Sequence, residues 1–346
     1  MADGIKVAVL TDAGGSHLDA YFPALAAAAE AESVVLCDPI GASEPLARKA
    51  LGNKLSQVYR DPAAMLRTEK PRMALVSLEA VHSPPVIDAA LEAGCHVFAE
   101  KPACLRAEDF APLVRKAQSK HLHLMLALAN RISPPIVEAR RLLQSGAIGK
   151  LYGMEMHIIA DQTRLMQPDY RKRWVAHKSR AGGGHLAWLG IHWLDLAMWM
   201  TNSKIVEVAG FTGIVGGQPL DVEDSAAMAL HFDNGTFGSF TSGYYVDKGY
   251  HSHLKFWGSQ GWVQMEPRGP VPLTWYSTKN TPDPKPQAYD GPVEPTGYTP
   301  FVNAAVRASA GLQEPPITAE ESHYVLQTLF ACYKAAESRQ TQRVRF

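Results

Sequence analysis

The feature that most restricts this chain is a series of short, uniformly apolar runs separated by helix-like stretches. Residues 5–10, 34–37, 74–78, 96–99 and 122–128 are rich in leucine and β-branched side chains and lack polar alternation. Strands read this way when both faces are buried, as in a parallel sheet covered by helices on each side. Helical patterns fill the gaps at 20–31, 45–51, 85–93 and 107–119, the last with Glu108 and Asp109 in its first turn. Strand–helix alternation at this spacing predicts a doubly wound α/β domain over residues 1–130.

From about residue 152 the grammar changes. Longer, alternating segments at 152–159, 206–211, 225–232, 236–244, 253–256 and 262–265 predict a mainly antiparallel sheet. The turn Asp233-Asn234-Gly235 joins two of them as a hairpin. Helices are expected at 134–145 and 185–200, and a long proline- and glycine-rich surface loop at 266–300. A last helix over Ala319–Ser338 opens with Thr318 and Glu321 spaced as a capping box. Residues 131–346 thus form a second, α/β domain.

Composition closes several routes. Thirty-four basic side chains balance thirty-four acidic ones, so net charge draws the chain toward neither nucleic acid nor anionic lipid. Cys37, Cys95, Cys104 and Cys332 form no C-x-x-C pair, and the opening Met1-Ala2-Asp3-Gly4 has no signal-like character. The expected setting is reducing and cytoplasmic.

Ligands of a doubly wound sheet gather at the carboxyl ends of its strands. The first strand runs into Thr11-Asp12-Ala13-Gly14-Gly15-Ser16. Against the pattern G-x-G-x-x-G, Thr11, Ala13 and Ser16 occupy the glycine places. The turn keeps small side chains there while losing glycine's freedom. Asp38 ends the second strand, where a carboxylate bonds adenosine ribose hydroxyls, and Pro39 stands where an arginine would serve a 2′-phosphate. The pair points to NAD rather than NADP, although Asp-Pro is also an ordinary turn dipeptide.

The segment Ala90-Leu91-Glu92-Ala93-Gly94-Cys95-His96-Val97-Phe98-Ala99-Glu100-Lys101-Pro102 closely resembles the AL-x-AG-x-HV-x-x-EKP signature of the glucose–fructose oxidoreductase and inositol dehydrogenase (Gfo/Idh/MocA) family. His82 matches a histidine usual ahead of that helix. Gly182-Gly183-Gly184 through Gly190, His192 and Asp195 resembles a second signature, GGG-x-x-x-D-x-G-x-H-x-x-D. The resemblance runs from the first strand to the final helix. It implies a Rossmann domain that binds NAD, then an α/β domain whose large open sheet serves substrate binding and homo-oligomerisation.

For the site, the resemblance implies Lys101 and His192 as catalytic residues, with Pro102 as a cis-proline aiming the lysine. Cofactor contacts are expected from Thr11, Ala13, Gly14, Gly15, Ser16, Asp38, His82, Glu100, Lys101 and Pro102. Substrate contacts are expected from Lys101, Arg173, Trp174, His185, Trp188 and His192. Bottom-up chemistry agrees for Lys101, since an ammonium closing a buried strand can hold charge on a hydroxyl oxygen as hydride leaves. The family's aspartate one turn before His192 is Trp188 here, which removes a carboxylate and supplies a face for a sugar ring. On one regular helix, His185, Trp188, His192 and Asp195 would share a face. Arg171, Arg173, Trp174, His177 and Lys178 form a basic stretch suited to a carboxylated or sulfonated sugar. His157, His251 and His253 lack the carboxylate or cysteine spacing of a metal site, so no metal is expected. The leading reading is an NAD-dependent oxidoreductase acting on a sugar, glycoside or cyclitol-like polyol. Two others stay open: a redox-neutral glycoside hydrolase or lyase that recycles NAD, and a non-catalytic family member.

Overall fold

The computed structural model describes residues 4–345; Met1–Asp3, part of the opening segment read above for a signal, lie outside the described residues. The chain divides into two units. The first is built on the chain up to Ala129 and takes in Ser179–Gly182 and Thr296–His323, and the second holds Asn130–Lys178, Gly183–Pro295 and the chain from Tyr324 on. Two segments beyond the expected boundary at 130 thus cluster with the first unit. A helix over Tyr298–Ser309, which begins inside the expected loop at 266–300 and continues past it, explains one return. It buries Phe301 and Val302, and the Phe301 ring meets Phe98 with centroids 6.0 Å apart.

In the first unit, strands β1 (Ile5–Thr11), β2 (Ala31–Cys37), β3 (Leu55–Tyr59), β4 (Met73–Ser77), β5 (His96–Ala99) and β6 (Leu124–Leu126) form a parallel sheet in the order β3-β2-β1-β4-β5-β6. Helices α1 (Leu18–Ala27), α2 (Glu44–Leu51), α3 (Pro62–Glu69), α4 (Ser83–Glu92) and α5 (Ala107–Ser119) connect the strands. Every residue of β4, β5 and β6 is buried, which is why these strands read as unbroken apolar runs. β3 and α3 were not anticipated. β3 is an edge strand with Ser56 and Gln57 exposed, so it shows no apolar run. The strand order turns back between β1 and β4, which opens a crevice at their carboxyl ends.

The second unit carries β7 (Leu151–Asp161), β8 (Ile205–Gly213), β9 (Ser225–Phe232), β10 (Phe237–Val246), β11 (Tyr250–Gly258), β12 (Gly261–Met265), β13 (Leu273–Ser277), β14 (Gln287–Ala288) and β15 (Gln342–Arg343). Their order is β14-β13-β12-β11-β7-β10-β9-β8-β15, antiparallel except for the β7–β10 pair. The expected loop at 266–300 thus contains two strands as well as a helix start. Along β7, Met154, Met156, Ile158 and Ala160 are buried and alternate with exposed or half-buried residues, so one face packs and the other stays open. Helices α6 (Pro134–Gln144), α7 (Thr163–Met166), α8 (Pro168–Lys172), α9 (Lys178–Ala181) and α10 (Ile191–Thr201) lie along this part of the chain, and α9 runs into the segment returned to the first unit. A π-helical turn, Leu186–Gly190, leads directly into α10. The helix Ala319–Ser338 has the expected cap: Thr318 N donates to Glu321 at 2.9 Å and Glu321 N donates to the Thr318 hydroxyl at 3.1 Å. No helix among the described residues is long and apolar enough to cross a membrane.

Candidate active site

In the first unit the turn after β1 is held from both sides. Thr11 Oγ1 donates to the Ser77 carbonyl at 2.8 Å, and Ser77 Oγ donates to the Ser16 carbonyl at 2.8 Å. The Thr11 and Ser77 hydroxyls are therefore struts between β1, β4 and the turn; at position 11 glycine could not do this, while Ser16 contributes only its backbone carbonyl. Gly15 has no freedom to be anything else, because a Cβ there would stand 2.0 Å from Thr11 Oγ1. Asp12 Oδ1 accepts from Gly14 N at 2.7 Å, while Ala13 is exposed at the tip. Burial, then the charges of Glu79 and Asp38, push the Asp12 carboxyl up against the Gly14 and His82 interactions that oppose them. The small, closely packed turn at the head of α1 fits the pyrophosphate of a dinucleotide.

Two charged groups around this turn, Glu79 and Arg180, were not legible beforehand. Glu79, after β4, sits so close that a Cβ on Gly14 would meet its Cγ at 2.7 Å. Arg180 neutralises it, with Nε donating to Glu79 Oε2 at 2.8 Å and a second bond from Nη2 to Oε1. His82 lies nearby, its Nε2 4.0 Å from Glu79 Oε2. Asp38 is fully buried, and its carboxylate accepts from Ile40 N, Gly41 N, Ser43 N and the Ser43 hydroxyl at 2.6–3.2 Å. It shapes the loop after β2, and a ribose hydroxyl would have to share these oxygens. Burial pushes its carboxyl up, but the Ser43, Gly41 and Ile40 bonds outweigh that and hold it low. Arg60 reaches the same loop, donating to the Asp38 carbonyl at 2.8 Å and to Glu44 at 2.6 Å.

β5 delivers Glu100, Lys101 and Pro102 into the interior, and the Lys101–Pro102 peptide is cis. Lys101 is 1% exposed, with Nζ 3.9 Å from Glu100 Oε1. The other Glu100 oxygen takes the Tyr21 hydroxyl and lies 3.0 Å from His17 Nδ1. Burial alone would raise the Glu100 carboxyl, yet His17, Lys101 and Tyr21 together hold it below the usual carboxylate range. Glu100 was expected among the cofactor contacts. Its side chain holds Lys101, His17 and Tyr21, and Tyr298, unassigned from sequence, packs on the His17 and Tyr21 rings at 4.7 and 5.1 Å.

In the second unit Gly183 makes room for the Tyr333 side chain and Gly184 for the Glu223 backbone. A Cβ on Gly183 would strike the Tyr333 hydroxyl at 2.0 Å, and one on Gly184 the Glu223 carbonyl oxygen at 2.0 Å. The half-buried Glu223 carboxylate accepts from Gly184 N at 2.7 Å, Leu186 N at 3.0 Å and Tyr333 Oη at 2.7 Å. It fastens the start of the π-helical turn, and burial pushes its carboxyl up despite those bonds. Single π turns in helices are frequent at functional sites.

The regular helical face expected from residue 185 is corrected by this wide turn, and its members take different partners. Trp188 stands edge-on to Trp174, centroids 5.6 Å apart at 86°. Asp195 is held by Arg131 through bonds of 2.6–3.0 Å in a buried pair. His185, expected against substrate, is completely buried; its Nδ1 lies 2.6 Å from Ser242 Oγ and the Tyr244 ring meets it edge-on at 4.3 Å. Burial, then the Arg164 charge, lowers its pKa to about 3, so it is a neutral core group. His192, on the first turn of α10, is 9% exposed.

The basic stretch before the glycines disperses. Arg171 bonds the Leu165 carbonyl and Gln218, and Lys178 pairs with Glu337 at 2.9 Å. Trp174 is buried, and Arg173 is exposed over the Tyr170 ring. His157, His251 and His253 stack, with centroids 4.8 and 5.2 Å apart, but no group of three or more His, Cys, Asp or Glu among the described residues is arranged to hold a metal.

A parallel sheet in this order, with a packed turn at the head of α1, defines a nucleotide-binding α/β unit, joined to a second unit built on a large mixed sheet. Residues 13–128 match the family described as "Oxidoreductase family, NAD-binding Rossmann fold", and residues 136–264 match the GFO/IDH/MocA C-terminal domain. The chain belongs to the Gfo/Idh/MocA family. Levoglucosan dehydrogenase of Pseudarthrobacter phenanthrenivorans is 28% identical over 172 residues, which cover 44% of this chain and 44% of that protein. D-glucoside 3-dehydrogenase of Escherichia coli is 30% identical over 220 residues, covering 59% of this chain and 60% of that protein. The oxidoreductase domain protein of Kribbella flavida shares the fold, with a TM-score of 0.86, 22% identity and 100% of each chain covered.

Proposed function

We propose that this protein is an NAD-dependent oxidoreductase that oxidises a hydroxyl of a sugar, glycoside or cyclitol-like polyol. The observation that carries the reading is Lys101, an ammonium buried at the end of β5 and tied to a carboxylate that two further side chains hold in place. NAD, when bound, accepts the hydride. The backbone of Gly14, Gly15 and Ser16 would hold its pyrophosphate at the head of α1, with Asp38 toward the adenosine ribose and His82 and Pro102 toward the nicotinamide side.

Lys101 donates a hydrogen bond to the substrate oxygen and steadies the negative charge that grows there. His192 takes the hydroxyl proton, and Trp188 with Trp174 supplies the aromatic side of the sugar site. Loss of the family's carboxylate at position 188 leaves His192 to do this proton work without it. The sugar class rests on the two relatives named as sugar dehydrogenases.

The open sheet face exposes Phe211, Ala227, Ala229 and Phe237 on paired strands, and its proposed partner is a second copy of the chain. Light scattering that returns a monomer mass would contradict this. Four buried free cysteines accord with a reducing, cytoplasmic setting. The function itself is tested by supplying NAD and a panel of sugars and glycosides. NADH appearance supports net oxidation, aglycone release without NADH identifies the redox-neutral cycle, and neither, with no NAD affinity, identifies a non-catalytic member.

A further inference from the structure

The second unit holds a half-buried guanidinium, Arg164, whose side-chain hydrogen-bond partner among the described residues is a neutral tyrosine. Its Nη2 donates to the Tyr250 hydroxyl at 3.1 Å, and the group lies over the rings of Tyr244 and Tyr250 at 5.5 and 5.3 Å. Its Nε is buried without a hydrogen-bond partner, and no carboxylate among the described residues forms an ion pair with it. Asp161, on the end of β7, spends Oδ1 on the Thr163 backbone and hydroxyl at 2.7 Å. Asp161 feels the Arg164 charge but forms no ion pair with it. A half-buried guanidinium without a direct counter-ion is costly, so a site like this suits one.

The surroundings strengthen the case. The Tyr170 and Tyr244 hydroxyls lie 2.9 Å apart, Arg173 sits over the Tyr170 ring at 5.7 Å, and Arg268 over the Tyr250 ring at 3.9 Å. Three guanidiniums thus converge on one tyrosine cluster. That cluster adjoins the proposed sugar site. Leu189, between Trp188 and Gly190 in the π-helical turn, packs against the group containing Tyr244, and Tyr244 meets His185 at 4.3 Å.

We propose that Arg164 anchors an anionic substituent of the substrate, so that this chain selects acidic sugars: uronates, or sugars bearing a sulfate or phosphate ester. The inference rests on the sugar oxidoreductase reading and narrows its substrate class. Guanidinium forks suit the planar or tetrahedral oxyanions these groups share, and the tyrosine hydroxyls complete the donor set.

The test gives the full chain NAD and matched sugars: a neutral hexose, its uronate, its sulfate ester and its phosphate ester. The wild type should turn over one acidic member with kcat/KM at least about tenfold above the neutral one, and Arg164→Met should cut that value by about 10- to 100-fold, mainly through KM, while sparing the neutral sugar. Arg164→Lys should recover part of the loss. Which acidic member wins tells carboxylate from sulfate and phosphate. Equal use of the neutral sugar by the wild type overturns the proposal. So does an Arg164→Met protein that loses neutral and acidic substrates alike, since that assigns Arg164 to packing. If Arg164→Met does not fold, Tyr250→Phe keeps the rings and removes the hydroxyl, and its loss must likewise be confined to the acidic sugar. If no sugar is oxidised, the dehydrogenase reading fails separately. Calorimetry then decides, with uronate binding that is absent for the hexose and for Arg164→Met sustaining the anion site, and no such selectivity refuting it.

Discussion

Trp188 meets the buried Trp174 edge-on, ring centroids 5.6 Å apart, at the start of the helix that carries His192. The contact makes Trp188, the proposed wall for a sugar, part of the packing of the second unit. Trp188→Ala should therefore cost roughly 3–5 kcal/mol of stability. Trp188→Phe keeps an aromatic edge and should lose less stability while still weakening sugar affinity. Thermal melts and substrate titrations on both variants check this, and an unchanged melting temperature for Trp188→Ala would show that the ring is not part of the core.

His185 makes the second unit sensitive to acid. Its folded pKa, about 3, lies below the free value of 6.5, so the unfolded chain binds the extra proton between those limits. The stability it contributes is complete above about pH 6.5 and is lost as pH falls, on the order of 2 kcal/mol by pH 5. Burial, then His123, lowers His96 to about 4, which adds to the same window in the first unit. Denaturant unfolding of the wild type and His185→Gln at pH 7 and pH 5 reads the effect. Parallel losses in the two proteins would exclude His185 as a source.

Cofactor choice should follow the charge of the loop after β2. With Asp38 and Glu44 there, NAD should bind about tenfold more tightly than NADP, about 1.4 kcal/mol. Arg60 works against this preference by lying beside Gly41, but two of its donors are already committed to Asp38 and Glu44. Calorimetric titration with both dinucleotides is the check, and equal affinities would remove the ribose role from Asp38.

What the sequence disclosed follows burial. β4, β5 and β6 were readable because both faces are covered, whereas β3 is a half-exposed edge with no apolar run. Its neighbour α3 did carry a start signal, Asp61-Pro62, and Asp61 indeed accepts from Ala63 N and Ala64 N. In the site, Lys101 and the turn after β1 were legible because each is one contiguous motif. Arg131 with Asp195, Glu79 with Arg180 and Glu223 with Tyr333 are separated by 64, 101 and 110 residues, and no local pattern links them. His185 was expected to share a face with Trp188 and His192 because a regular helix was assumed where the first turn is wide.

The proposed chemistry depends most directly on Lys101, and the measurement that tests it is the turnover of Lys101→Met on a sugar the wild type oxidises. Methionine keeps the length and apolar stem of the side chain and removes the charge and donors. Charge on the substrate oxygen grows as hydride departs, so the loss falls on the transition state more than on the bound substrate. Turnover should drop by about two to four orders of magnitude, with NAD affinity and melting temperature little changed. A Lys101→Met protein that forms NADH at near the wild-type rate would contradict the proposed chemistry.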